Sequence, residues 1–232
     1  VYKMKKLYIV HGWAYGLEKW QTLAKLLKKA GIEVIFLHVP GLTKNSNKVW
    51  TIAEYVVWLE NELKNVKGSV VLLGHSNGGR IAMNFTLKNP GKVKELILLD
   101  SAGIFHNELK IRLKRTVFKF AAKLGKKVSK SALLRKILYK LARESDYHDA
   151  PVNMRQTMAN MLSSDRDLKP EHLRVHTTII WGENDTITPI SDAYLLHEKI
   201  DNSSLVLIHG AKHSPHYTIP EVVASEIEKV FS

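Results

Sequence analysis

The chain has 232 residues, enough for one domain with an inserted lobe; its 45% hydrophobic content suits a globular protein, and no run approaches the roughly 18 apolar residues that span a bilayer. The opening VYKMKKLYIVHGW lacks the pattern of a signal peptide, and the absence of cysteine excludes a disulfide framework and a thiol nucleophile, a composition suited to a reducing cytoplasm. The formal charge of +13 is concentrated in one place: residues 106–143 hold 13 Lys and Arg against Glu108 alone, a net +12, while the remainder has 22 basic and 21 acidic residues.

In chain order, Leu7–Val10 reads as a strand that stops at His11-Gly12. Glu18 to Ala30 has helical spacing in Trp20, Leu23, Leu26 and Leu27, with Gly31 as its C-cap. Ile32–Val39 is a second strand, ending at Pro40-Gly41, and Ile52–Leu63 is helical through Ile52, Tyr55, Val56 and Leu59. Val70–Leu73 and Leu96–Leu99 are short apolar strands, the latter followed by Asp100. Thr177–Trp181 and Leu205–Ile208 are the last two, and Pro220 to Phe231 is a closing helix. Continuous apolar strands alternating with helices predict an α/β fold, a doubly wound, mostly parallel sheet buried on both faces. Residues 104–168 interrupt the alternation with two amphipathic stripes, Leu109, Leu113, Val117, Phe120 and Leu124, then Leu134, Ile137, Leu138 and Leu141. The expected division is a core of residues 1–103 and 169–232 with a basic helical cap over 104–168.

The stretch VVLLGHSNGGRIAMNF, residues 70–85, carries the chemistry. An apolar strand stops at Gly74-His75-Ser76-Asn77-Gly78-Gly79, and a helical pattern resumes at Ile81, Ala82 and Phe85. Gly, Ser and Asn are common at any such turn, but G-x-S-x-G between strand and helix also makes a nucleophile elbow, whose tight corner needs small residues at 74 and 78. A serine hydroxyl needs a histidine to take its proton, and the histidine needs a carboxylate to fix its tautomer. Asp185, in WGENDTITP, and His213, in IHGAKHSPH, each follow a strand, so with Ser76 they fall at the carboxyl edge of the sheet. Asn184-Asp185-Thr186 is also ordinary turn chemistry, and Asp100 is the other candidate acid. His209 and His216 flank the base candidate, with His209 at the strand end. The oxyanion donors are expected from the backbone N–H groups of Asn77 and, in the loop after the first strand, Trp13. His11 is read as a loop-shaping residue bonded to backbone, and Arg80 as a structural or rim cation.

These residues resemble the α/β-hydrolases over nearly the whole chain. The matching pieces are HGW at 11–13, VPG at 39–41, GHSNGG at 74–79, GENDTITP at 182–189 and GAKHSPHYTIP at 210–220. Within that family the chain is similar to small carboxylesterases and to meta-cleavage-product C–C hydrolases, which carry a helical cap, and to pimeloyl-carrier-protein esterases, which share the HGW-type loop. The resemblance implies Ser76, Asp185 and His213 as the triad, with Trp13 and Asn77 as the oxyanion hole. Two departures stand out: His38-Val39-Pro40-Gly41-Leu42-Thr43-Lys44-Asn45 replaces the usual Asp-x-Pro-Gly-x-Gly-x-Ser, and Thr218 replaces a Glu often found before the final Pro.

Serine at position 76 argues against the relatives that form an alkyl-enzyme on an aspartate, the haloalkane dehalogenases and epoxide hydrolases. The sequence has no H-E-x-x-H pattern, dinucleotide fingerprint or Walker loop, so no metal and no cofactor are expected. The expected activity is hydrolysis of a small-molecule carboxylic ester through an acyl-enzyme. The alternatives are C–C hydrolysis of a vinylogous 1,5-diketone and a ligand-binding or receptor protein on a hydrolase scaffold. The cap charge, at Lys114, Arg115, Lys119, Lys126 and Lys127 among others, either serves solubility or favours an anionic partner. Such a partner would be an acidic carrier protein, an anionic lipid surface or a charged ester; nucleic acid has no role beside an ester pocket.

Overall fold

The computed structural model describes residues 5–105 and 150–232. The two amphipathic stripes over 109–141 and the five cations Lys114, Arg115, Lys119, Lys126 and Lys127 lie outside the described residues. The strands are β1 (Lys5–Val10), β2 (Ile32–Leu37), β3 (Val70–His75), β4 (Val93–Leu99), β5 (His176–Gly182) and β6 (Ser203–Ile208). Among the described residues they form one all-parallel sheet in the order β2-β1-β3-β4-β5-β6. Among the described residues the α-helices are α1 (Gln21–Lys29), α2 (Ile52–Leu63), α3 (Asn77–Lys88), α4 (Val152–Ser164), α5 (Ile190–Lys199), α6 (Pro215–Thr218) and α7 (Pro220–Val230).

Every strand expected from the sequence is present, most of them extended by one to three residues at an end. Because side chains alternate along a strand, each apolar run feeds two cores. Tyr8, Leu72, Leu96, Leu98 and Trp181 pack under α2, α3 and α5, whereas Leu7, Ile9, Leu73, Ile97 and Leu99 pack under α1 and α7. Local chemistry sets the helix ends. The Thr51 hydroxyl accepts from Glu54 N at 3.3 Å while Thr51 N donates back to the Glu54 carboxylate at 2.8 Å, a capping box that starts α2. Gly31, at φ 77°, lets the chain leave α1 and enter β2. Helix α5 leaves little sign in the sequence, because its buried side is only Asp192, Ala193 and Leu196, too small a stripe to read from spacing.

The sheet order reverses between β1 and β3. The chain leaves β1 outward to β2 through α1 on one face, then returns past β1 to β3 through α2 on the other. Ligands of doubly wound sheets bind at the carboxyl ends of strands at such a switch point, which here is where the loop after β1 meets the turn after β3. Helix α4, the described end of the inserted stretch, lies over the loop after β2. Trp50 N donates to Thr157 Oγ1 at 2.9 Å, and the side-chain amides of Asn153 and Asn160 donate to Ser46 O at 3.2 Å and Trp50 O at 3.1 Å. No helix among the described residues is long and apolar enough to cross a membrane.

The start of α3 is pressed against the end of β1: a Cβ at Gly78 would lie 2.0 Å from Val10 O. Gly91, by contrast, has nothing within 4 Å of such an atom. Gly78→Ala is therefore expected to lower stability by about 3 kcal/mol, read from the urea midpoint, while Gly91→Ala shifts it by no more than about 0.5 kcal/mol.

Candidate active site

Strand β3 and helix α3 meet at Ser76 with φ 52° and ψ −124°, a left-handed conformation that L-residues adopt at a cost. Three backbone bonds fix this corner: Ser76 N donates to Leu99 O at 3.2 Å, and Ser76 O accepts from Gly79 N and Ala102 N, both at 2.9 Å. The two small residues required by the sequence pattern have a visible reason. A Cβ at Gly74 would sit 2.5 Å from Gly79 Cα, and Gly78 abuts Val10 as described above. The loop after β1 comes as close, since a Cβ at Gly12 would be 2.9 Å from Ser76 Cβ. Half-buried Trp13 follows in that loop, and Asn77 follows Ser76 at the first turn of α3, where backbone N–H groups have no intrahelical acceptor.

His213 reaches this corner from the sheet's edge strand. Its Nε2 lies 3.0 Å from Ser76 Oγ and its Nδ1 lies 2.7 Å from Asp185 Oδ2. With Nδ1–H donated to the carboxylate, Nε2 is the free acceptor for the serine proton. Asp185 is a turn residue as well as a partner. Its Oδ1 accepts from Ile187 N at 2.7 Å and Thr188 N at 3.1 Å, which aims Oδ2 at the imidazole, and the Thr188 hydroxyl adds a bond to Oδ2 at 2.7 Å. The loop carrying His213 has to cross the end of β5 on its way from β6. Gly182 makes the crossing possible, because a Cβ there would lie 2.7 Å from both Ala211 O and Lys212 O. His75 then holds the loop from the other side, its Nε2–H donating to His213 O at 2.9 Å.

The remaining histidines separate cleanly. His209 points outward, 98% exposed, and pairs with Glu183 at 2.8 Å. His216 is buried and stacks on Trp20 at 3.8 Å between ring centroids. Burial pushes its imidazole down to about 3, with His213 and Lys19 adding to the effect. Burial also drives His75 well below 6.5, with His216 and His213 lowering it further. His11 has the loop-shaping role expected of it. Its Nδ1–H donates to Gly12 O at 2.8 Å, leaving Nε2 to accept from the Thr43 hydroxyl at 2.7 Å, and burial lowers it to about 4. The atypical loop after β2 thus braces the loop after β1.

Arg80 is structural and not at the rim. Its guanidinium is buried and forks onto Asp165, Nε to Oδ1 at 2.5 Å and Nη2 to Oδ2 at 3.0 Å, while Nη1 donates to Asn77 Oδ1. Nothing in the spacing signals this pair, whose members are 85 positions apart. Asp100, the other candidate acid, lies fully buried beside His213. Its Oδ1 accepts from Gly182 N at 2.8 Å, its Oδ2 has no partner, and its backbone is also left-handed, at φ 41°. Burial, with a further push from Asp185, raises its carboxyl from 3.8 to about 8. His75, Asp100 and His213 bring one ligand atom each within 4.8 Å of one another, a cluster that linear spacing does not reveal. Both ring nitrogens of His213 are engaged with Ser76 and Asp185, so the trio reads as the surroundings of that imidazole.

The family model described as alpha/beta hydrolase fold matches residues 6–176. The chain is 26% identical to the hydrolase YugF of Bacillus subtilis (strain 168), over 95% of this chain and 88% of that protein. It is 25% identical to the pimeloyl-acyl-carrier-protein methyl ester esterase of Pseudoalteromonas atlantica, over 89% of this chain and 86% of that protein. In structure it is similar to a meta-cleavage product hydrolase from Pseudomonas fluorescens IP01, with a TM-score of 0.69 at 17% identity, covering 98% of this chain and 90% of that one.

Asp100 makes stability depend on pH in an unusual direction. The folded chain keeps this proton up to about pH 8 while the unfolded chain releases it near 3.8, so the unfolded state binds fewer protons in between and stability falls as pH rises through that window. Asp100→Asn removes the effect. Relative to wild type, the variant is expected to gain on the order of 5 kcal/mol in urea unfolding between pH 4 and pH 8. A difference that stays constant across this range would show that Asp100 ionises normally.

Proposed function

This chain belongs to the alpha/beta hydrolase fold family, and from that premise we propose that it is a serine hydrolase that cleaves small carboxylic esters through an acyl-enzyme. The observation that carries the reading is the hydrogen-bonded chain from Ser76 Oγ through His213 to Asp185, at 3.0 Å and 2.7 Å. In this reading His213 Nε2 takes the Ser76 proton as Oγ attacks the ester carbonyl. Asp185 stabilises the imidazolium that forms. The carbonyl oxygen becomes an oxyanion held by the backbone N–H groups of Asn77 and Trp13. Collapse expels the alcohol, which takes its proton from His213, and leaves the acyl group on Ser76. Water, deprotonated by the same imidazole, then releases the acid and restores the serine. Residues 1–103 and 169–232 form the catalytic core in this proposal, and 104–168 the cap that shapes the substrate pocket.

The charge of the cap narrows the substrate class. A net +12 over residues 106–143, beside a near-neutral body, concentrates anions by a field that salt screens. We read this as favouring an anionic ester or an acyl group delivered by an acidic carrier protein, in keeping with the carrier-protein esterases among the relatives. Turnover of a carrier-borne methyl ester should fall as salt rises while turnover of p-nitrophenyl acetate stays level; parallel behaviour would return the charge to solubility.

A panel of p-nitrophenyl esters from acetate to octanoate tests the activity itself. Ser76→Ala and His213→Ala are expected to lose roughly 10³-fold or more in kcat/KM with the fold intact, and Asp185→Asn to be severely impaired. His209→Ala and His216→Ala should stay within about tenfold of wild type. A Ser76→Ala protein with near wild-type turnover would overturn the proposal, and a folded wild type inert on the whole panel would favour a binding role.

A further inference from the structure

We infer that the buried Arg80–Asp165 pair is a positioning device for Asn77, through which α4 sets the reactivity of Ser76; the inference rests on the acyl-enzyme reading above. Arg80 lies one turn into α3 from Asn77, so its side chain runs back beneath the residue that follows the nucleophile. Its fork on Asp165 uses Nε and Nη2, and the remaining arm, Nη1, is spent on Asn77 Oδ1. The other end of the same amide, Asn77 Nδ2, reaches Met158 Sδ at 3.7 Å. Asp165 is the C-cap of α4 and Met158 lies within it, so α4 holds one end of the amide directly through Met158 and the other through Arg80.

A bare stabilising role explains this arrangement poorly. Removing two charges from water is costly, and apolar residues of similar shape commonly replace a buried ion pair without loss. Here both side chains are 3% exposed or less, and the pair is aimed at one residue. Asn77 is also the hinge point of the corner, sitting between the left-handed Ser76 and the regular helix. Its backbone N–H is the donor proposed for the oxyanion, and such donors must lie within a few tenths of an ångström of their best position. A misplacement of about 1 Å costs about 10²-fold in rate. Clamping the side-chain amide at both ends restricts rotation of the peptide that carries this N–H.

The test uses the full chain and reads Ser76 directly, by the rate of its labelling with an alkyl fluorophosphonate, alongside kcat and KM for p-nitrophenyl acetate. Phosphonylation expels fluoride from phosphorus as Ser76 Oγ bonds to it and passes its proton to His213, and it calls on the same oxyanion donors without needing turnover. The double variant Arg80→Met/Asp165→Leu removes both charges together, and Asn77→Ala removes the clamped amide while keeping the backbone N–H. Each is expected to slow labelling and lower kcat by roughly 10–100-fold with KM within about threefold of wild type. Combining all three substitutions should cost no more than either variant alone, the non-additivity expected of groups acting through one residue. Wild-type labelling in a folded double variant or in Asn77→Ala, or losses that simply add, would overturn the inference and leave the hydrolase reading standing. A double variant that fails to fold leaves Asn77→Ala, in which the ion pair is intact, to decide. A wild-type chain whose Ser76 takes no label would sink the hydrolase reading, and this inference with it.

Discussion

The backbone conformation of Ser76 is the constraint on which the rest of the site depends. A non-glycine residue at φ 52° and ψ −124° carries strain of about 1–3 kcal/mol and persists only where its surroundings over-determine it. The surroundings here are backbone from three directions: Leu99 O at the end of β4, Gly79 N in the first turn of α3, and Ala102 N beyond β4. That much main chain converges on one residue only where side chains are missing, hence glycine at 12, 74 and 78. The strain holds the hydroxyl clear of the helix and leaves the first turn of α3 open to a developing negative charge.

His213 and its surroundings answer a different demand, that of charge. His213 spans the distance from β6 to the corner on a loop that passes over Gly182 and rests on His75. Around it, burial keeps His75 and His216 neutral, and it keeps Asp100 protonated to about 8. Groups that could add competing charge are thus silenced near neutral pH, and Asp185 is left as the hydrogen-bonded carboxyl partner of the imidazole. Two carboxyl groups in one site take different roles through environment alone. Asp185 is met by two backbone N–H groups and a hydroxyl, whereas Asp100 receives a single N–H and leaves one oxygen without a partner.

What could be read from the sequence follows a simple physical division. The six strands were legible because apolar runs buried on both faces carry their signal locally, and the elbow because its steric demands fall within five consecutive positions. Ser76, Asp185 and His213 could be grouped because strand ends in a parallel sheet share one edge. Asp165 could not be found, since a buried ion pair 85 positions apart leaves no mark on local spacing. The roles of Gly182 and His75 were hidden for the same reason, because each meets a loop that another strand delivers. Thr43 looked like a departure from a family pattern, and the structure shows it hydrogen-bonded to His11.

The order of these elements along the chain also matters while the protein is being made. Ser76 and its corner belong to β1 to β4, but His213 comes 137 positions later, on the loop after β6. At typical elongation rates that interval is roughly 7–27 seconds, during which the growing polypeptide holds Ser76 without the imidazole that meets its hydroxyl in the folded chain. On the proposed acyl-enzyme reading, competence arrives only when β6 docks on β5 and carries the imidazole across, so a chain arrested before that strand would keep the corner yet hold an unactivated hydroxyl.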